Sequence, residues 1–256
     1  MNIRCVGVAK KVLILSGDGI NCERESARAF EEAGGLAHII HINELLAQPS
    51  LLLDFSIFCI PGGFSFGDEL RSGKILAEKI RSQLGTVFQQ FTKNGGLTIG
   101  ICNGFQVLMQ LGAFTGLDAK RSVTLATNDH GKFLDFWVEL EISASAAKSP
   151  WFQGMTGRLQ LPIRHKEGRI VIHEGARCEH FVFPLRYTKA VNGSYEQSAA
   201  MLDQTGQILG LMPHPEAATH GFLNPLLSEV GGAHESNANQ VKQIFQNAIN
   251  WNGVSK

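Results

Sequence analysis

Cys102 stands in a pattern that is typical of an enzymatic nucleophile. Residues 100–104 read Gly-Ile-Cys-Asn-Gly, between the apolar run 97–101 and apolar residues at helical spacing over 105–111. The pattern predicts a strand, a sharp turn at the cysteine and a helix. Glycines permit the tight backbone, and the N-terminus of the following helix favours a thiolate over a thiol. The competing interpretation is a buried structural cysteine that packs as a small apolar residue.

A histidine and a glutamate two residues apart could activate such a thiol. Residues 212–216 read Met-Pro-His-Pro-Glu and follow the apolar run 208–211. A residue before proline avoids helical backbone angles, so we expect His214 to be extended and alternation to direct Glu216 to the same side. A nucleophilic thiol needs an imidazole that takes its proton and a carboxylate that orients the imidazole. With Cys102 present, the pair predicts a catalytic triad; without it, the prolines would indicate only the end of a strand.

Two backbone N–H groups are candidates for an oxyanion hole. Residues 61–63 read Pro-Gly-Gly and follow the strand-like residues 55–59. Acyl transfer needs donors aimed at the oxygen that becomes negative, commonly one from the residue after the nucleophile and one from a neighbouring loop. Asn103 and Gly63 fit these two positions. A plain turn explains the Pro-Gly-Gly sequence equally well.

The elements that must position these residues alternate between strand and helix in the first half of the chain. The apolar patterns predict strands over 11–17, 36–42, 55–63 and 97–101, and helices over 21–35 and 70–91. Such alternation indicates an α/β fold with a parallel sheet. Ligands of these sheets bind beyond the carboxyl ends of the strands, where Gly63 and Cys102 are placed.

The second half of the chain has a different pattern. Beyond Ala113 we predict strands joined by short loops, over 122–127, 133–142, 158–165 and 181–187, and helical spacing returns only over 237–251. The second half is therefore expected to be strand-rich. No internal repeat, low-complexity tract or linker interrupts the chain, so we predict one domain over residues 1–256, with residues 1–10 as an N-terminal extension.

Composition excludes several classes of partner. The chain has 256 residues, with 23 Lys and Arg against 23 Asp and Glu, and no dense basic block. This balance argues against nucleic acid or a membrane surface and favours a small neutral or zwitterionic ligand. No apolar run is long enough to cross a bilayer, and nothing resembles a leader segment. Five cysteines without framework spacing fit a reducing compartment, so we expect a cytoplasmic location.

Five motifs together resemble one enzyme family. They are Asn-Cys-Glu at 21–23, Pro-Gly-Gly-Phe-Ser-Phe-Gly-Asp at 61–68, Gly-Ile-Cys-Asn-Gly-Phe-Gln at 100–106, Asn-Gly-Ser at 192–194 and Met-Pro-His-Pro-Glu at 212–216. The chain resembles class I glutamine amidotransferases, and among them the glutaminase subunits of phosphoribosylformylglycinamidine synthase. The resemblance implies a flavodoxin-like fold, with a twisted, mostly parallel central sheet flanked by helices.

The resemblance also implies roles for the candidate residues. Cys102 matches the nucleophile of the family, and His214 and Glu216 match its partners. Gly63 and Asn103 match the two positions of the oxyanion hole.

Further positions match the family less closely. Gln106 stands where a glutamine of the family helps to hold the substrate, although it could equally be a solvated helix residue. Residues 162–168, Pro-Ile-Arg-His-Lys-Glu-Gly, resemble a segment near the family's site, which makes His165 a candidate for substrate binding. Lys166 replaces a glycine of that segment, and Ala217 and Phe136 stand where relatives carry arginine.

The implied activity is the release of ammonia from glutamine, with no metal or organic cofactor in this chain. The implied partners are a large synthetase subunit, which uses ATP and Mg²⁺ to make phosphoribosylformylglycinamidine in purine synthesis, and a small accessory subunit. One alternative is a glutaminase of the same class that serves another synthetase. A more distant alternative is a thiol sensor on the same architecture, which needs a reactive Cys102 but no proton shuttle.

Overall fold

The computed structural model describes residues 9–68, 72–115, 122–173, 181–226 and 233–253. The strands in these ranges are β1 (Lys11–Ser16), β2 (Leu36–His41), β3 (Ile57–Ile60), β4 (Leu97–Ile101), β5 (Val123–Thr127), β6 (Leu134–Ile142), β7 (Arg158–His165), β8 (Glu167–Ile172), β9 (Leu185–Tyr187), β10 (Ala200–Leu202) and β11 (Ile208–Leu211). The α-helices are α1 (Glu23–Glu32), α2 (Ile42–Ala47), α3 (Lys74–Lys93), α4 (Asn103–Leu111) and α5 (Ala233–Asn250).

Six strands form the central sheet in the order β10-β11-β4-β3-β1-β2. β10 is antiparallel to β11, and the other neighbouring pairs of this sheet are parallel. The five parallel strands thus follow the 2-1-3-4-5 order of flavodoxin-like sheets. Every residue of β3, β4 and β11 is buried, as expected for the central strands of a parallel sheet that helices cover on both faces.

The helices pack in two groups. α1 packs on β1, β2 and α5, and the rings of Phe30 and Phe245 meet edge to face with their centroids 5.0 Å apart. α3 and α4 pack against each other, and all 9 residues of α4 are buried, with contacts to β3, β4 and β11. Because α4 is enclosed on all sides, the turn that precedes it is held rigidly.

The second half adds two small antiparallel sheets. One pairs β5 with β8, and the other has the order β7-β6-β9. The backbone N–H of His214 donates to the carbonyl of Pro162 in β7 at 2.9 Å. This bond joins the three-stranded sheet to the loop that follows β11, so the second half contributes β7 to the region at the carboxyl ends of the central strands.

The predicted α/β architecture and the strand-rich second half are confirmed. The predicted strand 158–165 coincides with β7 at both ends. The predicted strand 181–187 was too long: only Leu185–Tyr187 is a strand, because Pro184 has no N–H to donate to a neighbouring strand. The first residues of the predicted helix 70–91, and most of the proposed extension 1–10, lie outside the described residues.

Three short elements were not predicted. They are α2, β8 and β10, none longer than 6 residues. So few residues do not complete enough helical turns or strand alternations to reveal a period.

A cluster of buried apolar residues runs through both halves of the chain and includes Phe105 of α4, Leu140 of β6 and Trp151. The prediction of one domain stays a prediction. Within the described ranges, no helix has both the length and the apolar character that a membrane span requires.

Candidate active site

Cys102 occupies the sharp turn between β4 and α4. Its backbone angles are φ 51° and ψ −103°, a conformation that costs a non-glycine residue on the order of 1–3 kcal/mol. The Cys102 N–H donates to the Leu211 carbonyl at 2.8 Å, and the Gln106 N–H donates to the Cys102 carbonyl at 3.1 Å. A side chain at position 104 would overlap the carbonyl oxygen of Ile60. The glycine there is therefore required, and its neighbours hold Cys102 in a strained conformation of the kind found at active sites.

The thiol of Cys102 combines burial with access. Cys102 is 6% exposed and lines a cavity of about 400 Å³. Its Sγ donates a long hydrogen bond of 3.5 Å to the carbonyl of Arg164. The N-terminus of α4 lies directly after the cysteine. A ligand in the cavity can thus reach the sulfur.

His214 and Glu216 form a buried ion pair after β11. Nδ1 of His214 lies 2.7 Å from Oε1 of Glu216, and the side chains are only 4% and 1% exposed. His214 is outside the helical region, as its position before proline predicts, but Pro215 begins a short 3₁₀ turn that ends at Ala217. The prediction that the two side chains meet is confirmed. The predicted strand alternation was wrong, because a tight turn brings the carboxylate to the ring.

The environment of His214 favours its charged form. Burial lowers the pKa of His214, but the Glu216 carboxylate and the thiols of Cys102 and Cys22 outweigh it and raise this pKa well above its usual value. An imidazolium is therefore stabilised next to the cysteine. This is the electrostatic condition for a thiolate–imidazolium pair.

The two parts of the predicted triad meet because β4 and β11 are adjacent parallel strands. Leu211 pairs with Ile101, so both strands end at the same level and deliver Cys102 and His214 side by side. Among the described residues, Nε2 of His214 has no hydrogen-bond partner, whereas Nδ1 is held by Glu216. Nε2 is thus free to accept the thiol proton.

The backbone around Gly63 leaves one N–H unused. Gly63 has φ 145°, and a side chain there would overlap the Gly19 carbonyl. Gly63 and Ile20 form an isolated antiparallel β-bridge. Its two hydrogen bonds run from the Asn21 N–H to the Gly62 carbonyl and from the Phe64 N–H to the Gly19 carbonyl. The Gly63 N–H takes no part in these bonds and has no acceptor within the described ranges.

Asn103 offers the second donor and links it to the first. Its N–H lies in the first turn of α4, where helical N–H groups have no partner within the helix. Its side-chain oxygen accepts from Ser65 N–H at 3.1 Å, and its amide nitrogen donates to Gln106 Oε1 at 2.9 Å. The side chain of Asn103 therefore fixes the loop that carries Gly63 relative to the nucleophile.

The cavity of about 400 Å³ brings together most of the predicted site residues. Gly63, Cys102, Gln106 and His165 line it, with Phe133 at its rim. A volume of this order accommodates a small metabolite. A cysteine, a buried base with its carboxylate and two free N–H donors around such a cavity can perform acyl transfer from an amide or ester.

Comparison with known proteins identifies the family to which this chain belongs. The model of the CobB/CobQ-like glutamine amidotransferase domain matches residues 9–252. The phosphoribosylformylglycinamidine synthase subunit PurQ of Dehalococcoides mccartyi is 36% identical over 252 residues, which cover 94% of this chain and 97% of that relative. The chain belongs to the PurQ family. The PurQ subunit of Thermotoga maritima is 31% identical over 233 residues and covers 91% of this chain and 93% of its own length.

Solved structures agree with membership of the PurQ family. A chain of the structure of PurLQS from Thermotoga maritima matches with a TM-score of 0.73 and 28% identity, covering 95% of this chain and 99% of that one. A glutamine amidotransferase structure from the same organism matches with a TM-score of 0.60 at 14% identity, over 95% of this chain and all of that chain. At such low identity the second match shows the fold alone.

Gln106 is buried in this PurQ-family chain, so the interpretation as a solvated helix residue was wrong. It is 5% exposed, and its side-chain nitrogen donates to the carbonyl of Glu167 at 2.5 Å. Its oxygen accepts from Asn103. The side chain is therefore fixed in the cavity wall.

His165 is a buried, neutral histidine at the end of β7. It is 2% exposed, and neither ring nitrogen has a hydrogen-bond partner in the part of the chain that the structure describes. Burial, and then the positive charges of His214 and His130, lower the pKa of His165 to about 4. Buried polar atoms without partners are costly in folded proteins. The structure thus strengthens the candidacy of His165 as a ligand-binding residue.

Cys22 is a site residue to which the sequence assigned no role. It begins α1, and its Sγ, a ring nitrogen of His214 and a carboxylate oxygen of Glu216 all lie within 4.8 Å of one another. Burial raises the pKa of the Cys22 thiol, and the imidazole of His214 partly offsets this effect. No local motif signals this contact, because it arises where the loop after β1 meets the loop after β11.

Two of the three departures from the family pattern lie near the site. Lys166 is exposed next to His165 and lines the cavity. Ala217 ends the turn that carries Glu216. Phe136 is 44% exposed and lines a second cavity, of about 460 Å³, whose lining includes none of the predicted site residues. Nothing in the structure explains the replacement of an arginine at position 136.

Proposed function

We propose that this chain is the glutaminase subunit of a phosphoribosylformylglycinamidine synthase. It hydrolyses glutamine through a thioester on Cys102 and supplies ammonia to a synthetase subunit in purine synthesis. The observation that carries the proposal is the buried His214–Glu216 pair, 2.7 Å apart, beside a strained cysteine at a cavity. Membership of the PurQ family supports the choice of synthase.

The first half of the reaction forms the thioester. The thiol proton passes to Nε2 of His214 while Sγ of Cys102 attacks the side-chain amide carbon of glutamine. The N–H groups of Gly63 and Asn103 hold the oxygen that becomes negative. The C–N bond then breaks, and the proton on His214 moves to the departing ammonia.

The second half releases glutamate. A water molecule gives a proton to His214 and attacks the thioester carbon, and the same N–H donors hold the second oxyanion. The C–S bond breaks and the proton returns to the sulfur. The net reaction is glutamine plus water to glutamate plus ammonia, in which Glu216 keeps the imidazole oriented throughout.

The cavity wall suits a free amino acid. Asp68, Arg164, Lys166 and Glu167 bring charges of both signs to the cavity that holds the thiol. A glutamine zwitterion carries an ammonium and a carboxylate, which such a mixed wall pairs without net charge. Gln106 and His165 lie deeper and are proposed to contact the bound substrate.

The chemistry needs no metal or organic cofactor in this chain, because N–H donors meet the charge that develops on the amide oxygen. In the proposed complex, ATP and Mg²⁺ act at the synthetase subunit. The purine-synthetic role and the absence of framework spacing among the cysteines favour a cytoplasmic location.

The synthetase subunit is proposed to dock over the cavity. Free ammonia is largely protonated in neutral water and then has no lone pair for attack, so direct delivery is required. Phe64 and Phe133 line the cavity yet are 52% and 49% exposed, and exposed aromatic groups are typical of interface anchors. The match to a chain of PurLQS supports a complex, in which a small accessory subunit is the third component we propose.

A reconstitution assay tests this function. We expect the chain to produce glutamate from glutamine, and glutamine-dependent amidine formation when the synthetase subunits are added. Cys102→Ala is expected to abolish both with the fold intact, while added ammonia restores amidine formation. Retained glutamine hydrolysis in Cys102→Ala would refute the assignment of Cys102 as the nucleophile. Failure to complement a purine auxotroph would indicate that the chain supplies ammonia to a different synthetase.

A further inference from the structure

We propose that Cys22, His214 and Glu216 form a binding site for one zinc ion, and that zinc at this site switches the glutaminase off. The site is distinct from the triad because it replaces Cys102 by Cys22. Zinc binding itself is independent of the proposed function; only the loss of glutaminase activity rests on it.

The three side chains present a suitable set of donor atoms. Sγ of Cys22, a ring nitrogen of His214 and a carboxylate oxygen of Glu216 lie within 4.8 Å of one another. In a tetrahedral zinc site, bonds of about 2.0–2.3 Å place ligand atoms roughly 3.3–3.7 Å apart. Small side-chain rotations therefore suffice to close the site, and water or a bound solute can complete the fourth position.

Two of these side chains are buried with unused coordinating atoms. The side chains of His214 and Glu216 are 4% and 1% exposed. Nε2 of His214 and Oε2 of Glu216 have no hydrogen-bond partner within the described ranges. Buried polar atoms are normally paired, and the one contact between these two side chains is the 2.7 Å bond from Nδ1 to Oε1. An ion held by both side chains replaces that contact with two metal–ligand bonds.

Cys22 is the accessible member of the set. It is only partly buried and stands at the N-terminus of α1. Its Sγ donates a solvent-exposed hydrogen bond of 3.2 Å to the side-chain oxygen of Asn21. An incoming ion can therefore reach the sulfur from solvent and then recruit the buried imidazole.

Metal binding at His214 blocks the proton shuttle at either ring nitrogen. An ion on Nε2 occupies the lone pair that must accept the thiol proton. An ion on Nδ1 leaves the neutral ring protonated at Nε2 and displaces the hydrogen bond to Glu216. In both cases the imidazole cannot take the proton from Cys102.

The donor types also give selectivity. One sulfur, one imidazole nitrogen and one carboxylate oxygen match the preferences of zinc, whereas Mg²⁺ prefers oxygen ligands and retains its water. The Mg²⁺ that an ATP-dependent synthetase requires is therefore not expected to bind at this site.

Binding is tested without reference to turnover. The full chain carrying Cys102→Ala keeps the three proposed ligands and loses the catalytic thiol. Zn²⁺ competition against a chromophoric chelator should show one bound ion, and Co²⁺ should give a thiolate-to-metal absorption band. Adding Cys22→Ser should remove the band and weaken Zn²⁺ binding by at least about tenfold. Adding Cys59→Ala, at a buried thiol outside the set, should change neither.

The activity arm separates this proposal from the proposed function. Zn²⁺ should inhibit glutamine hydrolysis by the unmodified chain. For Cys22→Ala, the Zn²⁺ concentration that halves the variant's own metal-free rate should be at least about tenfold higher than for the unmodified chain. Millimolar Mg²⁺ should have no effect. Equal zinc sensitivity in Cys22→Ala, or zinc binding that Cys102→Ala abolishes, would overturn the site. Zinc binding without any glutaminase activity would refute the function and leave the site standing.

Discussion

The side-chain oxygen of Asn103 accepts a hydrogen bond of 3.1 Å from the backbone N–H of Ser65. This contact joins the first turn of α4 to the loop that carries Gly63. The two proposed oxyanion donors are therefore held in one frame by a residue that supplies one of them. A residue of this kind acts twice, through its backbone and through its side chain.

Asn103→Ala separates these two contributions. The backbone N–H remains, but the Ser65 N–H loses its acceptor and the Gly63 loop loses its anchor. We expect kcat to fall about 10- to 100-fold, less than or comparable to the loss of a whole oxyanion donor. The rate at which iodoacetamide alkylates Cys102 should change little, because the cysteine and its base are untouched.

A distant asparagine provides the control for this variant. Asn247 donates to the carbonyls of Trp151 and Gln153 at 3.0 and 2.9 Å. Asn247→Ala should lower the melting temperature through the loss of these bonds but leave kcat unchanged. An Asn103→Ala enzyme with full kcat would show that the side chain does not position the hole.

Replacement of Cys102 by glycine should stabilise the fold relative to replacement by alanine. The φ of 51° strains any residue with a side chain. We expect Cys102→Gly to be more stable than Cys102→Ala by about 1 kcal/mol, after the greater chain entropy of glycine in the unfolded state is subtracted. Urea unfolding measures the difference, and both variants should lack glutaminase activity. Equal or reversed stabilities would show that the turn stores no strain.

Glu216→Gln should impair catalysis far more than it impairs folding. The amide can still contact His214 but removes the negative charge that raises the pKa of the imidazole. That pKa should fall, and kcat should drop about 10²- to 10⁴-fold. Alkylation of Cys102 as a function of pH reports the change in the thiol–imidazole pair. The exposed Glu235 supplies a charge-matched control, since Glu235→Gln should alter neither measurement.

Acid should destabilise the fold through His165. Its pKa is about 4 in the folded chain and near 6.5 when unfolded. Between these values the unfolded chain binds a proton that the folded chain does not, so stability falls as pH falls from about 6.5 to 4, by about 3 kcal/mol in total. Denaturant unfolding across this range measures the slope. His165→Leu should flatten it.

A histidine on the surface tests whether this slope belongs to His165. His41 is exposed at the end of β2, and His41→Asn should keep the slope of the unmodified chain. If His165→Leu retained the same slope, protonation of another group would have to explain the acid sensitivity.

Much of the fold follows from local patterns in the chain. The strands over 11–16 and 97–101 consist mainly of apolar residues, and α3 shows a helical period over several turns. Local spacing alone therefore indicates a parallel α/β sheet. Short elements such as β10 contain too few residues for a period and become strands only beside a neighbour. The strand predicted over 181–187 failed for the converse reason, since an apolar run containing Pro184 cannot pair along its whole length.

The chain by itself also determined the chemical groups of the site, because backbone angles near glycine and proline are local properties. These properties indicated the turn at Cys102 and a His214 outside the helical region. Only the tertiary structure decided that β11 lies beside β4 with Leu211 opposite Ile101, which brings the thiol and imidazole together. Burial of His165 and the approach of Cys22 to His214 likewise depend on contacts between segments that are distant in the chain, and no local spacing encodes such contacts.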